Sequence, residues 1–138
     1  MEIFFATIYY YTSFLYSVEL DNYLYKTVPG YYHVGLAMVM ISLVVTFFFY
    51  YLLKPVRRQW LTWFGCVCLN AFLNFAFALY YTNSPLINNE VDPSESWAFL
   101  DTVGFGVANV LWGIVAFLLF SLIIKWWSPA KYIPFIKF

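Results

Sequence analysis

Residues 102–124 read TVGFGVANVLWGIVAFLLFSLII, a run without one formal charge. As a helix rising about 1.5 Å per residue it is roughly 34 Å long, enough to cross a hydrocarbon core of about 30 Å. Backbone amides and carbonyls find no water at that depth and must satisfy one another, so the run predicts a spanning α-helix. A barrel strand would alternate polar and apolar residues, and this run does not. Two further uncharged runs, 34–53 and 59–81, predict two more spanning helices on the same grounds.

The whole composition agrees. Of 138 residues, 64% are hydrophobic, 25% aromatic and only 10% charged, with mean hydropathy +0.74. A soluble domain carries about 25% charged residues, so a soluble globular fold and a disordered chain are both excluded. Seven basic residues balance seven acidic ones, which leaves no basic stripe for nucleic acid. The fold class expected is an all-α integral membrane protein forming a single membrane domain over 1–138.

Residues 3–18 are harder to place. Sixteen uncharged positions reach only about 24 Å as a helix. Glu2 stands where a signal peptide needs basic residues, and no small-residue cleavage site follows. Tyr9, Tyr10, Tyr11 and Tyr16 suit an interfacial depth, so the segment either spans with snorkelling tyrosines or lies in the interface. The spanning reading is preferred and completes a compact bundle of four transmembrane helices, at about 3–18, 34–53, 59–81 and 93–124.

Charge order sets the orientation. Lys54, Arg57 and Arg58 cluster in one loop, and Lys125, Lys131 and Lys137 lie in the C-terminal tail, two crossings away. The opposite face receives Glu19, Asp21, Glu90, Asp92, Glu95 and Asp101, with Lys26 alone among the basic residues. The positive-inside rule makes the basic face cytoplasmic, and four spans then place both termini there. Lys54, Arg57, Arg58 and Lys125 are accordingly read as topology and lipid-contact residues. The aromatic belts follow the same division, with Tyr50, Tyr51, Trp60 and Trp63 at one interface and Tyr31, Tyr32, Tyr80 and Tyr81 at the other.

Local signals mark the helix ends. Asp92-Pro93-Ser94-Glu95 has the form of a capping box with proline at the first helical position, so the last helix is expected to start near Pro93. Trp97 would mark one interface, and Trp126 and Trp127 the other. The stretch 82–91 reads as a turn. The tail 125–138 alternates lysine with apolar groups and reads as a segment along the inner surface, serving as an anchor or as an arm for a partner.

No Asp, Glu, Lys, Arg or His lies in the centre of a predicted span. Pumps, coupled transporters and voltage sensors need such groups, so these classes are disfavoured. Neutral polar and small residues do occur, and in register. Thr102, Gly106, Asn109, Gly113 and Ala116 fall on one helix face, Asn70 and Asn74 share another, and Gly35, Ser42 and Thr46 form a sparser stripe. Asn74 and Asn109 are expected at similar depth and within bonding reach. These seven positions, Asn70, Asn74, Thr102, Gly106, Asn109, Gly113 and Ala116, are the candidate helix–helix or oligomer interface. Bonding inside one protomer is the plainer reading, and a self-association seam or a polar pore lining is the alternative.

Catalytic chemistry is not indicated. Cys66 and Cys68, two apart, point away from each other on a helix and read as packing groups. His33 stands alone without metal-ligand spacing around it, and no phosphate loop or nucleophile elbow is present. No cofactor and no enzyme activity are expected. The expected partners are the lipid bilayer and other membrane subunits, or further copies of the chain as a homo-oligomer, in a bacterial inner membrane. The preferred role is a subunit anchoring a secretion- or envelope-type assembly. An oligomeric pore-former of effector or holin type is the runner-up, and a membrane immunity protein binding one partner is the third reading.

Overall fold

The computed structural model describes residues 2–27, 29–53, 59–88, 90–91 and 96–128, and among them the secondary structure is helical without strands. The described residues form five α-helices: α1 (Glu2–Tyr10), α2 (Val18–Asn22), α3 (Gly30–Phe47), α4 (Gln59–Ile87) and α5 (Phe99–Lys125). A π-turn over Phe48–Leu53 prolongs α3. Three helical stretches, Gly30–Leu53, Gln59–Ile87 and Phe99–Lys125, are long and apolar enough to cross a membrane. The chain is a multi-pass membrane protein.

These three stretches pack mutually. Ser42 meets Gly113 and Ser128 meets Tyr50, so α3 and α5 run in the same direction. Asn70 meets Gly113 while Asn74 meets Asn109, so α4 runs against them. The bundle therefore has a Phe99 end, with Gly30 and Ile87, and a Lys125 end, with Leu53 and Gln59. One buried cluster, including Tyr9, Leu20, Val34 and Phe105, lies toward the Phe99 end. A second, of Val45, Phe49, Tyr50, Cys66 and Phe117, lies toward the Lys125 end.

Two helix boundaries differ from those read in the sequence. α4 runs on through Pro85 to Ile87 rather than ending at 81. Proline removes one donor near the helix end, where a lost bond costs least. Thr82 turns inward and donates to the Ala78 carbonyl at 2.8 Å, and Pro85 is buried, so packing holds this last stretch helical. α5 begins at Phe99 rather than near Pro93. The cap comes from Asp101, whose Oδ2 accepts from the Ala98 amide at 3.0 Å. The expected box at Asp92–Glu95 lies outside the described residues. Trp97 is buried against Tyr23, with ring centroids 4.8 Å apart.

The largest departure is the first segment, which is not a fourth long helix. α1 is nine residues, roughly 14 Å. It stops where hydroxyls compete for backbone carbonyls: Thr12 Oγ1 donates to Tyr9 O at 3.0 Å and Ser13 Oγ to Tyr10 O at 2.8 Å. A 3-10 turn over Ser13–Leu15 follows, Tyr16 is extended, and Ser17 caps α2 by accepting from the Leu20 amide. Ile3 lines a cleft with Pro29 at the Phe99 end, Thr12 reaches the indole of Trp112 midway along α5, and Leu15 comes back against Gly104. The segment is a hairpin that enters the bundle from the Phe99 end and returns to it. The described ends of the chain therefore lie at opposite ends of the bundle, and the arrangement of both on one face does not emerge.

Candidate functional site

The small and polar positions of α4 and α5 meet in one seam. Asn70, Asn74, Thr102, Gly106, Asn109 and Gly113 are all buried, and Ala116 is half-buried. Asn109 donates from Nδ2 to the Asn74 carbonyl at 2.8 Å. The pair expected from the sequence is thus joined, through backbone rather than amide to amide. Asn70 Nδ2 donates to the Gly113 carbonyl at 2.9 Å, and Ser42 Oγ of α3 donates to the same carbonyl at 3.2 Å. Asn74 Nδ2 turns back along α4 to Asn70 O at 2.9 Å. Three helices are tied at the level of Gly113.

Small residues make that approach possible. A methyl on Gly113 would stand 2.8 Å from Asn74 Nδ2, and one on Gly106 would stand 2.8 Å from the Phe75 ring. Thr102 uses its hydroxyl on its own helix, donating to Phe99 O at 2.6 Å. Lys125 ends α5 half-buried, whereas Lys54, Arg57 and Arg58 lie outside the described residues. The tail from 129 onward does so as well. Cys66 is buried and Cys68 exposed, on different sides of α4. Exposed His33 shares a hydrogen bond of 2.9 Å between Nδ1 and the Tyr81 hydroxyl.

A second polar cluster escaped the sequence reading. Tyr9 and Tyr16, expected at an interface beside Tyr10 and Tyr11, are buried, while Tyr10 and Tyr11 are exposed. The Tyr9 hydroxyl donates to Asn109 Oδ1, so the hairpin is bonded to the seam itself. Tyr16 and Tyr31 hydroxyls lie 2.9 Å apart, and the Tyr31 hydroxyl donates to Asp21 Oδ1. The Tyr9 and Tyr31 rings stack at 5.3 Å, and both pack on Phe105. Burial pushes the Tyr16 phenol up to about 12, against the opposing hydrogen bond with Tyr31 and with a smaller push from the nearby Asp21 charge. Gly104 was also overlooked: a Cβ there would strike the Leu15 carbonyl. The available signal was the Gly104-x-Gly106 pair, which puts small residues on two faces of α5 instead of one.

No family model matches the chain, and no curated protein or solved structure was found to be similar to it. Its functional reading therefore stands on its own geometry.

Proposed function

We propose that the chain is a non-enzymatic subunit that anchors a larger membrane assembly, as expected for a secretion- or envelope-type machine of a bacterial inner membrane. Lys54, Arg57, Arg58 and Lys125 mark its cytoplasmic face. The supporting observation is how the spans divide their residues. The amides and hydroxyls of Ser42, Thr46, Asn70, Asn74 and Asn109 point inward and bond within the chain. The outward faces carry Leu36, Met40, Val44, Phe64, Phe72, Leu111, Leu119 and their like. Only about a third or less of the apolar window of each span is buried, so most of it faces lipid or another subunit.

That division weighs against the runner-up. A ring of copies around an aqueous pore needs polar side chains on an outward face, and the described outward faces of the spans are apolar between their ends. An immunity role would use the same outward surface with a single partner.

Purification of the full chain in a native membrane mimetic tests the reading. Co-purification of several defined membrane proteins is expected. A monomer without partners sinks the subunit proposal. A homo-oligomer that releases dye from liposomes favours the pore-former, and recovery of one toxic protein favours the immunity role.

A further inference from the structure

The Phe99 end is acidic, with Glu19, Asp21, Glu90 and Asp101 against Lys26 among the described residues. Between α1 and the Tyr23–Thr27 turn it opens into two neighbouring clefts of about 230 and 380 Å³. They share Ile3, Ala6, Tyr25 and Tyr31 as walls. The larger adds Thr7, Tyr10 and Asp21, the smaller Leu24, Pro29 and Tyr32. We propose that this double cleft binds an organic ammonium ion, with its charged head between Asp21 and the rings of Tyr10, Tyr25 and Tyr31 and its carbon substituent against Ile3, Ala6, Leu24 and Pro29.

Four features carry this assignment. Tyrosine faces attract ammonium groups through their ring quadrupoles, most strongly where water is partly excluded. Asp21 supplies the formal charge, and among the described residues the hydroxyl of Tyr31 is its bonding partner while no cation pairs with it. Lys26, exposed on the same turn, does not line the cleft. Tyr31 is fixed in place by Tyr16 and by stacking on Tyr9, so both the carboxylate and one ring wall are positioned before any ligand arrives.

The donor set also selects among cations. One carboxylate and the hydroxyl of Thr7, which donates to Ile3 O, among three tyrosines are too poor in oxygen for a hard divalent ion, which takes six or more oxygen ligands. An ammonium carrying carbon substituents matches both the rings and the aliphatic side chains of Ile3, Ala6, Leu24 and Pro29. Two sources present that chemistry at a membrane surface, a free amine and the headgroup of an ethanolamine or choline lipid. This site is independent of the subunit role proposed above.

Benzyltrimethylammonium is a suitable probe, titrated calorimetrically into the full chain in maltoside micelles. Saturable binding is expected, displaced by choline but not by its uncharged isostere 3,3-dimethylbutanol. Asp21→Asn keeps an acceptor for Tyr31 yet removes the charge, and should weaken binding at least about tenfold. Tyr25→Leu alters an exposed ring and should weaken it about three- to tenfold with unchanged near-UV circular dichroism. In nanodiscs, blocking of the probe by phosphatidylethanolamine but not phosphatidylglycerol identifies a lipid headgroup as the ligand, and equal binding in both identifies a free amine. The proposal is overturned if the alcohol competes as well as choline, if both variants bind like the wild type, or if no saturable binding occurs.

Discussion

The α3–α4–α5 seam and the N-terminal hairpin both bury polar groups, but they spend their hydrogen bonds differently. In the seam, Asn70, Ser42 and Asn109 donate to backbone carbonyls inside regular helices. Each interhelical bond adds about 0.6 kcal/mol on average, and the helices stand without it. In the hairpin, Thr12, Ser13 and Ser17 take over backbone groups that a helix would have paired, and Tyr9, Tyr16 and Tyr31 fasten the result to the bundle. The seam is an association of finished helices. The hairpin is held in shape by its side chains and by its docking, so it should open independently and first.

The sharpest way to break that comparison is to fill a glycine on each side of it. A methyl at Gly104 meets the Leu15 carbonyl, which is backbone and cannot rotate away. Gly104→Ala should destabilise hairpin docking by about 3 kcal/mol, at the upper end of ordinary overpacking costs. A methyl at Gly113 meets the tip of the Asn74 amide, which can shift, so Gly113→Ala should cost the seam about 1 kcal/mol. Hydrogen exchange read by mass spectrometry in micelles separates the two. Gly104→Ala should raise exchange over residues 3–17 while α3, α4 and α5 stay protected. Equal loss of protection in both regions would mean that hairpin and bundle form one cooperative unit.

The same contrast explains what could be read in advance. The seam was legible because its residues recur at helical spacing: 70 and 74 on α4, and 102, 106, 109 and 113 on α5. Uncharged length fixed the three spans for the same reason, since both signals are periodic or additive along one element. The hairpin was not legible, because its fate rests on single residues. Thr12, Ser13 and Ser17 sit in an apolar context where each looks tolerable in a helix, and only their bonds to Tyr9, Tyr10 and Leu20 show them to be stops and caps. Tyr9 and Tyr16 have the composition of an interface belt, and no local pattern tells that Asn109 and Tyr31 await them. The end of α4 misled in the opposite sense, because turn-forming Asn83, Ser84 and Pro85 are overridden by burial of Thr82 and Pro85.

Asn109 belongs to both regions, so its substitution measures the coupling between them. Asn109→Leu removes the donor to Asn74 O and leaves the buried Tyr9 hydroxyl without its acceptor. A cost of about 2 kcal/mol in thermal unfolding is expected, mostly from the stranded hydroxyl. Adding Tyr9→Phe should recover about 1 kcal/mol of it, because the hydroxyl is then gone as well. Additive effects of the two changes would separate the hairpin from the seam energetically and remove the bond as a link.

Alkaline pH offers the gentlest test, since it acts on the hairpin without altering any residue of the seam. Tyr16 keeps its proton up to about 12 in the folded chain because burial and the Asp21 charge oppose ionisation. In the unfolded chain a tyrosine ionises near the ordinary value of about 10. Below pH 10 both states hold the proton, so the contribution of Tyr16 is fully present. From pH 10 upward the undocked state gains by releasing it, and docking weakens until Tyr16 also ionises near 12. Exchange over residues 3–17 should therefore rise between pH 10 and 12 beyond the intrinsic base-catalysed trend, while α4 and α5 retain their protection. Burial also raises the Tyr9 phenol of the same hairpin, so Tyr16→Phe should reduce that excess rise without abolishing it and change little at pH 7. A Phe variant with the same alkaline transition as the wild type would remove Tyr16 as a contributor and leave the transition to Tyr9, which bonds Asn109.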